Sequence, residues 1–593
     1  MAHATHRDLN GNGRLDPYED PSRPVDERVE DLLAQMTVEE KAGVMFHPPI
    51  AIGEDGALVE EPSAFAQTPT TELVAGLGIN TFNVFEIPAP RAMAEWHNAL
   101  QRLAEGTRLG IPVTISSDPR HSFNRTAATF TGEALSKWPG ALGLAAVGDE
   151  ELTRRFADIA RQEYVALGIR IALHPQADLA TEPRWSRIAE TFGEDAELVS
   201  RMLRGYITGF QGEALGPASV ACMTKHFPGG GPQLHGEDPH FAYGREQVYP
   251  GDNFEYHLRP FEAAFAAGTA QIMPYYGMPI ETDLEPVGFG FNHGVITGLL
   301  RERFGFDGVV CTDWGLLTDW EVDGQVMFAA CCWGVEDLSV EDRMLKALDA
   351  GVDQFGGESC VDVLLALVRG GRVPEERLDA SARRILRDKF RLGLFDDPYL
   401  DVERTVALVG NDEFRAAGDE AQRRSVVLLA NGGLLPLQGR PRLYVEGVDP
   451  AAVEPYADVV GLDEAEVALV RVAAPFDPRP GFLEQFFHAG RLDFTEEELA
   501  PLLEVCRRVP TIVDVQLDRP AVIPELAERS AALIATFGVS DAALLDVLFG
   551  RAAPQARLPF ELPSSVEAVE RQLTDVPYDS ERPLFAFGHG LGY

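Results

Sequence analysis

The chain has 593 residues, 45% of them hydrophobic and 24% charged, and a net charge of −42. Such a length calls for two or three domains, and so acidic a balance argues against nucleic acid and anionic membranes as partners, since both need a basic surface. No run of roughly 18 apolar residues is present, so no membrane-spanning helix is expected. Met1–Arg7 lacks the apolar core of a secretion signal, and six cysteines, with Cys331 and Cys332 adjacent, do not make a disulfide framework. Together these features predict a protein of the reducing cytoplasm.

Asp8, Asn10, Asn12, Asp16 and Glu19, with Gly13 between them, follow the spacing of a calcium loop. No helix precedes a loop that starts at residue 8. An EF-hand pair is therefore excluded, which leaves a lone structural calcium loop or an Asn/Gly-rich surface turn. Val29, Leu32, Leu33 and Met36 then recur at helical spacing, and Thr37 with Glu40 forms a capping box for the next helix. Eight short apolar runs follow, separated by helical stretches: Gly43–His47, Ile79–Glu86, Ile111–Asp118, Ile169–Asp178, Ala218–His226, Ala270–Tyr276, Asp307–Asp313 and Ala350–Gly357. Eight strand and helix units predict a (β/α)8 TIM-like barrel, whose site gathers where the strands end. Those ends carry His47, Asp118, His174, Asp178, Lys225, His226, Tyr276, Asp313, Trp314 and Gln354.

Beyond the barrel, Pro374–Leu392 reads as a charged amphipathic helix and Asp396–Asp401 as a turn-rich linker. Leu443–Val448, Val467–Ala473, Thr511–Leu517 and Ala532–Phe537 are strand candidates spaced by helices. The expected organisation is an extension over 1–25, the barrel over 26–395, a linker over 396–415 and an α/β/α sandwich over 416–593. Its fold class is α/β throughout.

Lys225 is one of only five lysines in a chain that otherwise uses arginine. The segment Lys225-His226-Phe227-Pro228-Gly229 resembles the Lys-His-Phe-Pro-Gly signature of glycoside hydrolase family 3. Leu32–Phe46, Gly305–Trp314, Pro183–Asp195, Leu545–Pro559 and Phe585–Tyr593 are similar to further segments of that family. The resemblance covers nearly the whole chain and ends where many relatives continue into a fibronectin-like third domain. It implies an exo-acting, retaining glycosidase that needs no cofactor and takes a glycoside or oligosaccharide. β-Glucosidase is the first expectation. β-N-acetylglucosaminidase, β-xylosidase and a catalytically dead sugar-binding protein are the alternatives. Oligomeric state is left open, a dimer included.

Retention needs two carboxyl groups roughly 5–5.5 Å apart. By motif the nucleophile is Asp313, at the end of a strand whose apolar residues explain packing but not a carboxylate. The resemblance also assigns Asp118, Arg187 (in preference to Arg184), Lys225, His226, Tyr276 and Trp314 to the terminal sugar. The acid/base is expected from the second domain, in the variable stretch 470–490. Glu484 is the first choice, for its Pro/Gly loop and neighbouring aromatics, and Asp477 the second. A rival is Asp238-Pro-His240, similar in place to the Asp-x-His dyad of single-domain N-acetylglucosaminidases, although its spacing is longer and Gly230 replaces that motif's second histidine. On the first reading Glu237 and Asp238 line the entrance near the sugar.

Overall fold

The computed structural model describes residues 7–593 except 54, 64–65, 124–131, 323 and 482. The question of a leader at residues 1–6 falls outside them. All eight barrel strands form: β1 (Phe46–His47), β2 (Thr81–Asn83), β3 (Thr114–Ser117), β4 (Ile169–Ala172), β5 (Ala221–Phe227), β6 (Gln271–Pro274), β7 (Val309–Val310) and β8 (Phe355–Gly356). From β2 to β7 they run parallel in chain order. A parallel bridge Cys311↔Gln354 joins β7 to β8, β8 pairs with β1, and a bridge Pro49↔Asn83 joins β1 to β2. The ring is therefore closed and has no free edge.

β1 is shorter than the expected Gly43–His47 because the Thr37 capping box works as read. Thr37 Oγ1 accepts the Glu40 N–H (3.3 Å), and the Glu40 carboxylate accepts the Thr37 N–H (2.8 Å). A helix over Val38–Val44 consumes the start of the apolar run. Inside the barrel, Ile171, Ala221, Met223, Met273 and Cys311 fill the space between the strands. Lys389, fully buried, donates to Asn80 O, Thr114 Oγ1 and Pro112 O, which pins the helix Glu375–Arg391 to the barrel.

The expected linker is largely ordered helix. Val402–Leu408 packs back on the barrel through Thr405 Oγ1 to Ala166 O (2.7 Å) and an Arg91–Glu403 ion pair. The second domain holds a six-stranded sheet: β9 (Val427–Asn431), β10 (Arg442–Glu446), β11 (Asp458–Val459), β12 (Val467–Ala473), β13 (Thr511–Gln516) and β14 (Ala532–Thr536). Its order is β9-β14-β13-β12-β10-β11, with β9 antiparallel to β14 and the other pairs parallel. The four expected strands are present; β9 and β11 were missed. β9 follows directly on the helix Asp412–Arg424, so its apolar run reads as a continuation of that helix.

Direct hydrogen bonds seat this sheet on the barrel. Gly140 N–H reaches Phe537 O (2.9 Å), Thr181 Oγ1 reaches Thr574 O (2.7 Å), and the buried Glu194 accepts the N–H groups of Glu561 (2.7 Å) and Tyr578 (2.9 Å). The stretch that leaves β12 consequently lies over the C-terminal ends of the barrel strands.

Candidate active site

Asp313 follows β7, with its residue 9% exposed. Its Oδ2 lies 3.7 Å from His226 Nε2 and has no hydrogen-bond partner among the described residues. Burial pushes its carboxyl above the usual range, while His240, Lys225, Arg187 and the Tyr276 hydroxyl pull it back. A carboxylate oxygen without a donor, set among cations, keeps its electron density and is suited to nucleophilic attack.

β5 delivers two consecutive polar side chains because its register with β6 shifts between Lys225 and Phe227. Lys225 Nζ sits 3.1 Å from Asp118 Oδ1. His226 Nδ1 meets Asp178 Oδ2 at 2.7 Å, and Asp178 also accepts the N–H of His226 and of Gly230. Burial holds the His226 imidazole well below its ordinary range, so it is neutral. Nδ1–H then donates to Asp178, and Nε2 accepts from Arg187 at 3.2 Å. Arg187 is buried and points into the site, whereas Arg184 is forked onto Glu182 at 2.7 and 2.8 Å. Trp314 is half-buried against His47, with ring centroids 5.1 Å apart. Gly356 beneath it must be glycine, since a Cβ there would come 2.6 Å from the Trp314 ring. The Tyr276 hydroxyl donates to the Trp314 carbonyl and lies beside Asp313. Asp118, Arg187, Lys225, His226, Tyr276, Trp314 and Asp313 thus meet at one place.

Glu237 and Asp238 do not take the places expected of them. Asp238 is buried, where it accepts His240 Nδ1 (2.6 Å), the His240 N–H (3.0 Å), Trp185 Nε1 (2.9 Å) and the Tyr275 hydroxyl (2.9 Å). It orients His240 and has no surface left for sugar. Glu237 is forked onto Arg479 of the second domain at 2.7 and 2.8 Å. Gly230 is also explained: a Cβ there would meet the Tyr275 ring at 2.7 Å, so the backbone leaves no room for a histidine.

The second-domain loop brings Phe487 against His240 (5.1 Å), and His240 packs on Tyr276 (4.8 Å). Glu484, on a short turn of helix over Glu484–Phe486, is half-buried, and its Oε1 accepts the Tyr243 hydroxyl at 2.7 Å. Asp477 is committed elsewhere, to the N–H of Arg491 (3.0 Å) and its guanidinium (3.2 Å). Sequence reasoning missed Arg519, which organises this loop. Nothing local marks it, because its partners are backbone carbonyls far along the chain.

At the amino terminus, Asn10 and Asn12 both donate to Asp16 Oδ2 (2.6 Å), Asp8 accepts the Gly13 N–H (2.9 Å), and Glu19 accepts the N–H groups of Leu9 (2.6 Å) and Asp16 (3.0 Å). The loop's carboxylates are engaged by its own donors. Among the described residues, no group of three or more His, Cys, Asp or Glu side chains is placed to hold a metal.

A barrel whose strand tops present these residues, roofed by a second α/β domain, defines a two-domain glycoside hydrolase. The chain belongs to glycosyl hydrolase family 3: the family's N-terminal domain matches residues 37–387 and its C-terminal domain residues 487–593. It is 51% identical to the probable beta-glucosidase C of Aspergillus oryzae, over 97% of this chain and 91% of that protein. It is 43% identical to the periplasmic beta-glucosidase/beta-xylosidase of Dickeya chrysanthemi, over 99% and 93%. Among solved structures, a β-glucosidase from Erythrobacter marinus shares the fold with a TM-score of 0.79 at 22% identity, over 97% of this chain and 84% of that one.

The expected cytoplasmic location is corrected by these relatives. The Dickeya protein, aligned over almost the full length of both chains, is named as periplasmic, and so is a more distant relative from Salmonella typhimurium. Composition misled here because unpaired, mostly buried cysteines such as Cys222, Cys311 and Cys331 are core residues, which any compartment tolerates.

Proposed function

We propose that the protein is a retaining β-glucosidase that releases glucose from the non-reducing ends of β-glucosides, with Asp313 as nucleophile and Glu484 as acid/base. The observation that carries this reading is the donor-poor Asp313 carboxylate at the end of β7, surrounded by Lys225, Asp118, His226 and Arg187. Lys225, Arg187 and Asp118 supply donors and acceptors for the hydroxyls of one pyranose, and Trp314 an apolar face. An Asp313 oxygen attacks C1 as the bond from C1 to the leaving oxygen breaks, and Glu484 gives that oxygen its proton. Glu484, now a carboxylate, takes a proton from water. The water oxygen attacks C1 and releases Asp313, so both carboxyl groups return to their starting state.

The test is azide rescue in Asp313→Ala and Glu484→Ala. Azide entering the first variant displaces the leaving group directly and gives the α-glucosyl azide. Azide entering the second attacks the glycosyl-enzyme and gives the β-anomer. Failure of both rescues, with activity otherwise retained, sinks the assignment.

A second reading is kept because the Asp238–His240 pair is formed beside Asp313. If Glu484→Ala cleaves normally while His240→Ala does not, the dyad is the acid/base. Aryl β-glucoside, β-xyloside and β-N-acetylglucosaminide compared side by side fix the sugar. The Dickeya relative's double name makes xyloside cleavage the expected secondary activity. Calcium in the amino-terminal loop stands as a separate proposal carried by spacing alone. A calcium-dependent rise in unfolding temperature supports it, and an unchanged temperature removes it.

A further inference from the structure

We propose that Tyr243 is the positioning residue of the acid/base: its hydroxyl fixes the Glu484 carboxylate, and a clamp built from both domains fixes the tyrosine. The inference rests on the reading of Glu484 given above.

Glu484 arrives on a second-domain loop, so its carboxylate needs an anchor on the barrel side. Among the described residues, two donors are present. The Tyr243 hydroxyl meets Oε1 at 2.7 Å, and the Gly481 N–H meets Oε2 at 3.1 Å. The second belongs to Glu484's own loop and moves with it. Tyr243 belongs to the barrel and ties the carboxylate to the frame that carries Asp313.

Tyr243 is 52% exposed and would be mobile if left alone. The Phe241 ring stacks with it at 5.4 Å and 15°. Phe241 in turn meets Phe487 edge-on at 5.1 Å, so the second domain backs the stack. The Arg479 guanidinium lies 5.0 Å from the Tyr243 ring centroid and is forked onto Glu237. Cation–ring contact and a bidentate pair each restrict a side chain that is otherwise flexible. Arg479 and Phe487 come from the second domain; Glu237, Phe241 and Tyr243 come from the barrel loop after β5. The clamp closes only when the domains are docked, which couples docking to placement of the acid. It also gives Glu237 a role its place near the signature motif did not suggest.

The titratable and charged groups around Glu484 are Tyr243 and Glu237 from the barrel loop and Arg479 from its own loop. His240 packs on Phe487 of the same loop, and His488 is taken by Asp518.

The experiment is Tyr243→Phe, which keeps the ring and the stack, measured with aryl β-glucosides of graded leaving-group ability. Poor leaving groups should lose about tenfold in kcat/KM, and dinitrophenyl glucoside, which needs no proton, should lose little. Arg479→Met should move the same quantities in the same direction by less. Equal losses across leaving groups would overturn the proposal. Glu484→Ala separates the two readings. If azide rescues that variant and Tyr243→Phe is flat, only the positioning role falls. If azide does not rescue it, the acid assignment falls with it. Unchanged thermal unfolding in Tyr243→Phe is the control for folding, since the residue is half exposed.

Discussion

Replacing Arg519 by methionine removes a guanidinium that holds five backbone carbonyls. NH1 donates to Arg184 O (2.9 Å) and Gly490 O (3.2 Å), and NH2 to Pro475 O (3.0 Å), Ala489 O (3.1 Å) and Arg491 O (2.8 Å). Four of these belong to the loop that carries Glu484 and the fifth to the barrel. Burial lowers the Arg519 pKa to about 10, so the group stays charged at neutral pH. Methionine fills much of the volume but removes the donor from each carbonyl; Ala489 O alone among them keeps a backbone donor among the described residues, the Asp477 N–H at 2.9 Å. Of the two fully buried bonds, the one to Pro475 O therefore leaves an orphaned carbonyl, which costs about 1–3 kcal/mol. The other three carbonyls regain some water as the loop loosens. A loss of about 2–4 kcal/mol follows, localised on this loop. Since a displacement of about 1 Å in a catalytic group costs on the order of 100-fold, kcat/KM on an unactivated β-glucoside is expected to fall by about that factor. The assay pairs this rate with dinitrophenyl glucoside, limited proteolysis across 475–491 and the apparent unfolding temperature. Arg519→Lys should fall between, because three rotatable donors cannot span five carbonyls. A methionine variant within twofold of wild type on the unactivated substrate, with no new cleavage in the loop, would refute the argument.

Two further outcomes follow from the charges. Asp313 has a raised pKa and must be ionised to attack, so the acidic limb of kcat/KM lies above the range of an ordinary aspartate. Lys225→Met removes one of the cations that restrain it and should move that limb to still higher pH, beyond any change in KM. Burial lifts Glu194, at the domain interface, to about 8. A raised folded-state pKa means a contribution present in full below the unfolded value, about 4.3, and lost as pH rises through 8. The apparent unfolding temperature should therefore drop progressively between about pH 5 and pH 8 and level off above it. Glu194→Gln, which cannot ionise, should start lower, because it accepts only one of the two N–H groups, and show a flatter slope. Equal slopes in the two proteins would count against an interface role for this ionisation.

The barrel was legible because each of its strands is a short apolar run ending in a polar residue, a pattern that burial on both faces of a parallel strand imposes locally. Its closure was not legible. β1 and β8 are two residues each, and the ring is completed by single bridges at Pro49 and Cys311. Asp313 and the side chains that gather round it, Asp118, Arg187, Lys225, His226, Tyr276 and Trp314, were readable from motifs, since strand ends place them whatever the second domain does. Asp238 and Glu237 lie in an equally suggestive stretch and were misplaced, one buried under four donors and the other paired across the domain interface. Of these partners only His240, two positions from Asp238, is legible nearby; Trp185, Tyr275 and Arg479 lie 37 or more positions away.

By itself, then, the sequence determined the two-domain α/β architecture and the identities at the strand ends, where local periodicity and burial decide the outcome. Tertiary structure alone decided which second-domain carboxylate reaches the barrel. That choice depends on how the loop over 474–491 is folded by Arg519 and where Tyr243, Arg479 and Phe487 set it down. Those contacts join segments up to some 240 residues apart, as in Tyr243 to Glu484. They exist only after both domains have folded and docked.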